Sequence, residues 1–113
     1  MKSVSAKIKK GAIHLVPFPF TDLSKTKLRP CVVLGVDRED ITVVFITSMK
    51  PKDRNFIELL PTKQNGVKAK SYIRSTKIAT LDRKMSLGGI GMLEQETHGK
   101  LVEMVAAFLS SHH

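Results

Sequence analysis

Arg29, Thr47, Ser48 and Arg74 are the side chains of this sequence best suited to chemistry at phosphorus. Arg29 directly precedes Pro30, and a residue before proline is held in extended backbone. Its guanidinium therefore stands at a stiff strand entrance, beside the polar stretch 24–27, and its planar fork matches phosphate oxygens. Thr47 and Ser48 close an apolar run, and Arg74 follows Tyr72-Ile73. Such cations and hydroxyls stabilise negative charge as it grows on a reacting phosphorus. Each has an ordinary reading too. Arg29 suits an ion pair at a barrel rim, Thr47 and Ser48 suit turn caps, and Arg74 suits open solvent. Spacing alone leaves both readings open.

Other chemistries find less support. The four histidines (His14, His98, His112, His113) do not fall at ligand spacing with an acid or with Cys31, apart from the terminal dipeptide. No metal site and no cofactor are indicated. There is no Gly-x-Ser-x-Gly elbow for a serine hydrolase. Gly88-Gly89-Ile90-Gly91 precedes no basic helix start and reads as a strand bend. The single cysteine lies in an apolar run, where a buried, inert thiol is the default. His112-His113 reads as a frayed end without chemistry.

Charge points to the partner. With 19 basic and 10 acidic residues the chain carries +9, and its first 93 residues carry +11. A basic body with a mildly acidic end implies an anionic partner, either nucleic acid or an acidic protein. No apolar run approaches membrane-spanning length and no signal core follows the N-terminal lysines. These features read as a soluble cytoplasmic protein that does not engage membrane. At 113 residues the chain reads as one domain, 1–113.

The elements that must position these groups are mostly short strands. Residues 1–10 read as a loose basic arm. Ile13, Leu15 and Phe18 alternate with His14 and Val16, the pattern of a half-buried strand. The runs 31–36 and 41–47 flank a charged turn and predict a hairpin. A basic loop at 49–55 leads to a strand at 56–60, then a loop at 61–70 containing Gly66. Short strand pieces at 71–73 and 77–79 precede a helical turn at 82–85, capped by Asp82, and a glycine-bent strand at 87–92. The last element, 94–110, is a helix. Leu101, Val105 and Phe108 form its apolar stripe with Val102 and Leu109 beside them, and Glu94 and Glu96 sit in its first turn. The sum is a mainly β fold with a C-terminal α-helix, a small, strongly curved β-barrel. Phe18 and Phe20, near Lys25, Lys27, Lys50, Lys52 and Arg54, form a stacking platform for unpaired bases. In the alternative reading one of these rings belongs to the core.

Five stretches, in order, resemble the MazF/PemK family of toxin–antitoxin endoribonucleases. They are Leu15-Val16-Pro17-Phe18-Pro19-Phe20-Thr21-Asp22-Leu23, Leu28-Arg29-Pro30, Phe45-Ile46-Thr47-Ser48, Ser71-Tyr72-Ile73-Arg74 and Lys77-Ile78-Ala79-Thr80-Leu81-Asp82. The resemblance runs from Gly11 to the end of the helix. It implies an SH3-like barrel of the CcdB/PemK type, a homodimer, an acidic antitoxin protein as partner, and metal-independent cleavage of single-stranded mRNA. In that chemistry a ribose 2′-oxygen attacks the neighbouring phosphate, leaving a 2′,3′-cyclic phosphate and a 5′-hydroxyl. The catalytic residues carried over are Arg29, Thr47 and Arg74. Those on the substrate side are Phe18, Phe20, Asp22, Ser24, Lys25, Lys27, Ser48, Lys50, Thr76 and Lys77.

Guanidinium keeps its proton in proteins, so Arg29 is read first as a charge stabiliser. Thr76 stands where some members carry Asp, and Ala12 replaces a common acid. Asp22 is the carboxylate of the loop before Arg29, and either accepts the 2′-hydroxyl proton or pins the loop. His14 is read as structural or interfacial. Two alternatives stand beside the nuclease: a CcdB-like toxin that binds a protein target through its terminal helix, and a cleavage-deficient RNA binder. A solvent-facing apolar and aromatic C-terminus is the mark of the first.

Overall fold

The computed structural model describes residues 8–18 and 27–111. Within them run β1 (Ala12–Phe18), β2 (Lys27–Asp37), β3 (Asp40–Thr47), β4 (Phe56–Leu59) and β5 (Ser71–Asp82). One 3-10 turn (Arg83–Met85), β6 (Gly89–Met92) and helix α1 (Gln95–Ser110) complete the order. The strands form one curled antiparallel sheet in the order β4-β5-β3-β2-β1-β6. None of the described helices is long and apolar enough to cross a membrane.

The β2–β3 hairpin turns through Arg38-Glu39, where Arg38 takes φ 59°. Left-handed backbone of this kind matches the twist of the strands it joins. Both faces of the sheet are then buried. Ile13, Val32, Val44, Ile46 and Ile73 gather on one face with Leu59, Val67 and Leu93. Ala12, Val16, Cys31, Val33, Ile41, Val43 and Phe45 gather on the other, with Ile8 and Met92 against them. The alternation in β1 suggests a half-buried strand, but Ala12, Ile13, His14 and Val16 are all buried. The second apolar cluster covers the face that the pattern assigns to solvent.

Two further expectations change. The pieces at 71–73 and 77–79 are one strand of 12 residues, β5. Helix α1 buries Leu101 and Val105 in the first cluster, whereas Phe108 and Leu109 are 45% and 67% exposed. The cluster takes up two turns of the helix, so its last turn runs beyond the cover of the sheet. Glu94 is the N-cap, without a side-chain cap, and its carboxylate accepts the Thr62 hydroxyl at 3.3 Å. Asp82 caps its 3-10 turn as its sequence position predicts, accepting from Lys84 N at 2.8 Å.

The sheet does not close by strand pairing between β4 and β6. Residues 61–67 bridge them instead. Asn65 is fully buried; its Oδ1 accepts from the backbone N–H of Thr62 and Val67, each at 3.0 Å, and its Nδ2 donates to Leu60 O at 2.8 Å. Met92 N donates to Gln64 O at 2.8 Å, tying this loop to β6. Gly66, at φ +72°, lies so close to Ile90 that a Cβ would strike the Ile90 carbonyl. Gly91 meets the backbone of Gln64 and Asn65 in the same way.

Candidate active site

The side-chain period of a strand is two residues, so Arg29 shares a face of β2 with Cys31 and Val33, and Thr47 shares one of β3 with Val43 and Phe45. Cys31 pairs with Phe45. Carried two residues beyond this last pair, the same antiparallel register would bring Arg29 level with Thr47. The ladder between β3 and β5 breaks at this level. Val44 pairs with Ile78 and Ile46 with Ile73, so Phe45 alone opposes the four residues 74–77. An ordinary bulge adds one residue; this one adds three, and it re-aims Arg74, Thr76 and Lys77.

Those three line a single groove of about 500 Å³ with Arg29, Phe45, Ile46, Thr47 and Ile78. Ser75, the bulge residue between them, is buried, and both its N–H and its hydroxyl donate to Asn55 O at 3.1 Å. The bulge is thus pinned to the start of β4. Arg74 Nη2 donates to Asp53 Oδ2 at 3.2 Å, while its buried Nε has no hydrogen-bond partner among the described residues. Thr47 Oγ1 accepts Met49 N at 3.2 Å. The turn-cap role is therefore real, and it leaves the hydroxyl hydrogen to donate. The groove can hold an anion between two guanidinium groups and a lysine, with a hydroxyl donor on its floor.

Of the residues singled out in the sequence, Arg29, Thr47, Arg74, Thr76 and Lys77 come together here. Ser48 and Lys50 are exposed on the loop after β3, and Lys27 is exposed at the start of β2; none of them lines the groove. Lys27 pairs with Phe18 through the backbone. Phe20, Asp22, Ser24, Lys25 and the side chain of Phe18 lie outside the described residues. Asp53 is the residue that the sequence reading missed. Its signal was an acid set between Lys52 and Arg54 in an otherwise cationic loop. Among the described residues, no three His, Cys, Asp or Glu side chains cluster.

His14 is buried in β1. Its Nδ1 is 2.7 Å from Ser86 Oγ, and burial lowers its pKa by disfavouring the charged ring. Burial likewise pushes the Cys31 thiol up to about 12, against the lowering effect of a backbone hydrogen bond from His14. An ionised thiolate is disfavoured there, as for an inert core cysteine.

None of the curated proteins matches the chain. Solved structures match its fold along nearly its whole length. An endoribonuclease in complex with its cognate antitoxin, from a mycobacterial species, is 13% identical with a TM-score of 0.74 over 95% of this chain and 99% of that one. Toxin MazF-mt6 of Mycobacterium tuberculosis is 18% identical with a TM-score of 0.71, over 90% and 99%. MazF of Deinococcus radiodurans is 17% identical with a TM-score of 0.72, over 97% and 100%. A family model matches residues 9–109. The curled sheet, the terminal helix and that match agree: the chain belongs to the PemK-like, MazF-like toxins of type II toxin–antitoxin systems.

Proposed function

We propose that this toxin is an endoribonuclease that cuts single-stranded mRNA without a metal. The ribose 2′-oxygen attacks the adjacent phosphorus and the bond to the 5′-oxygen breaks. A 2′,3′-cyclic phosphate and a 5′-hydroxyl result. The observation that carries this reading is the meeting of Arg29, Thr47 and Arg74, from three strands, in one groove. Arg29 and Arg74 stabilise the negative charge of the pentacoordinate phosphorus, and the Thr47 hydroxyl donates to a non-bridging oxygen. Arg29 keeps its own proton throughout. Asp22, seven residues before Arg29 in the sequence, is our candidate acceptor of the 2′-hydroxyl proton, and the leaving 5′-oxygen takes a proton from solvent water. The structural neighbours support the reading, since one is an endoribonuclease in complex with its cognate antitoxin.

In the same proposal residues 1–113 act as one domain, in the cytoplasm, as a homodimer. An acidic antitoxin segment covers the cations Arg29, Arg74 and Lys77. The substrate lies against these residues and against Thr76, Phe18, Phe20, Asp22, Ser24, Lys25, Lys27, Ser48 and Lys50.

The test is incubation of the purified protein with a long single-stranded RNA in excess EDTA, beside Arg29→Ala. Discrete cuts bearing 5′-hydroxyls, absent in the variant, support the reading. Intact RNA rejects it. A second reading, a CcdB-like toxin that binds a protein target, rests on a separate observation: the exposed Phe108 and Leu109 at the end of α1. Toxicity in cells that survives Arg29→Ala and is lost in Phe108→Ser would favour it. RNA that is bound but never cut would favour the cleavage-deficient alternative.

A further inference from the structure

We infer that Asp53 is a positioning residue for Arg74, and that it sets the rate of cleavage rather than the affinity for RNA. The inference rests on the endoribonuclease reading for its rate effect, and on the geometry of the free protein for its mechanism. Both carboxylate oxygens of Asp53 are already engaged. Oδ1 accepts Asn55 N at 2.9 Å, closing a turn, and Oδ2 accepts Arg74 Nη2 at 3.2 Å. The contact on Arg74 is one-pronged. It fixes one corner of the guanidinium, whereas a two-pronged grip would take up two of its nitrogens and compete with a phosphate.

The turn that Asp53 closes is itself anchored. Asn55 O takes both hydrogen bonds of the buried Ser75, the residue after Arg74. Arg74 is therefore held twice: its backbone through Ser75 and its side chain through Asp53. A long side chain with many rotamers loses entropy when it meets a transient charge. An arginine aimed in advance has less to lose at the transition state, which is the origin of rate enhancement by preorganised donors.

The discriminating variant is Asp53→Asn. A side-chain amide has one acceptor oxygen, so it can serve Asn55 N or Arg74 Nη2 but not both. Asp53→Ser, which keeps a turn-closing oxygen on a shorter stem, serves as the second variant if Asn folds poorly. The first readout needs no RNA. In a 1H–15N spectrum of the free protein, the Nε–H signal of Arg74, assigned by its absence in Arg74→Lys, is slow to exchange in wild type and fast in both Asp53 variants. The second readout is single-turnover cleavage of a single-stranded RNA oligonucleotide, with affinity measured on the same oligonucleotide carrying a 2′-deoxy nucleotide at the cut site. Asp53→Asn lowers the rate about tenfold, with the shape of the pH profile unchanged and binding equal or tighter. In an Arg74→Ala background it has no further effect.

An unchanged Nε–H signal overturns the inference, as does a wild-type or raised rate in Asp53→Asn, or an equal loss in the Arg74→Ala background. A pH profile of altered shape would make Asp53 a proton acceptor instead, and overturns it as well. If wild type leaves the RNA intact, the endoribonuclease reading falls, and the spectrum alone still decides whether Asp53 orders Arg74.

Discussion

Ser75 gives both of its hydrogen-bond donors to one acceptor, the carbonyl oxygen of Asn55, each at 3.1 Å. A side chain and its own backbone thus converge on a single point just before β4, at the place where β5 swings out around Phe45. Ser75→Ala keeps the backbone bond and removes the hydroxyl one. Stability should fall by about 1 kcal/mol, the ordinary worth of such a bond, in urea denaturation. Cleavage should fall several-fold, because the loosened bulge carries Arg74 and Thr76.

Arg29→Ala should lower single-turnover cleavage by about 10²–10³-fold, the range for loss of one donor to a transition-state oxyanion. Arg29→Lys should recover only part of this, since an ammonium keeps the charge but not the planar fork. Full activity in Arg29→Ala would remove Arg29 from the chemistry.

Thr47 has two duties that substitution can separate. Thr47→Ser keeps the hydroxyl for both the Met49 turn and the phosphate, and should retain most activity. Thr47→Val fills the same volume without the hydroxyl and leaves Met49 N without its acceptor. It should lose activity and a few tenths to about 1.5 kcal/mol of stability. A Thr47→Val protein as active as wild type would leave Thr47 with the turn alone.

His14 makes stability depend on acid. Its folded pKa lies below the ordinary value for histidine, because burial disfavours the charged ring. The unfolded chain therefore takes up the proton first, and stability falls as the pH drops below about 6.5. Thermal unfolding across pH 7.5 to 4.5 should show this decline, and His14→Gln should flatten it relative to wild type. Parallel curves for the two proteins would refute the assignment.

The seam between β4 and β6 gives a further test. Asn65→Ala leaves the backbone N–H groups of Thr62 and Val67 and the Leu60 carbonyl without their partner. A loss of about 3 kcal/mol or more should follow, since each buried orphan group costs about 1–3 kcal/mol. Gly66→Ala should be at least as damaging, because its Cβ has no room beside Ile90. Denaturant midpoints close to wild type for both variants would mean that the seam contributes little.

The hairpin, the Asp82 cap and the helix were legible in the sequence because each rests on a local signal: a charged turn between β-branched runs, a capping side chain, a period near four. The burial of β1 on both faces was not, since alternation reports polarity and His14 is polar yet buried. The continuity of β5 was hidden as well. Arg74, Ser75, Thr76 and Lys77 look like a polar break, yet Arg74 pairs with Phe56 and Ser75 bonds to Asn55, partners that no local pattern announces. At the groove, Arg29, Thr47 and Arg74 were chosen by residue type and resemblance. That they share a face follows from register, and register depends on a bulge that no local pattern announces. Asp53 was missed for the same reason: its partner lies 21 residues away.

The loop that stands in for a strand pair between β4 and β6 also bears on how the barrel assembles. The β2–β3 hairpin joins neighbours in the chain, and β3–β5 needs a moderate excursion. The contact of Gln64 with Met92, and of β1 with β6, must wait for the last third of the chain. Loop-closure entropy places such distant contacts late. The residues that line the groove are all made by position 78, but the wall that completes their barrel is not. A ribosome must complete β6 before the barrel can shut, so the toxin's groove gains a rigid scaffold only after all of its own lining residues have been made.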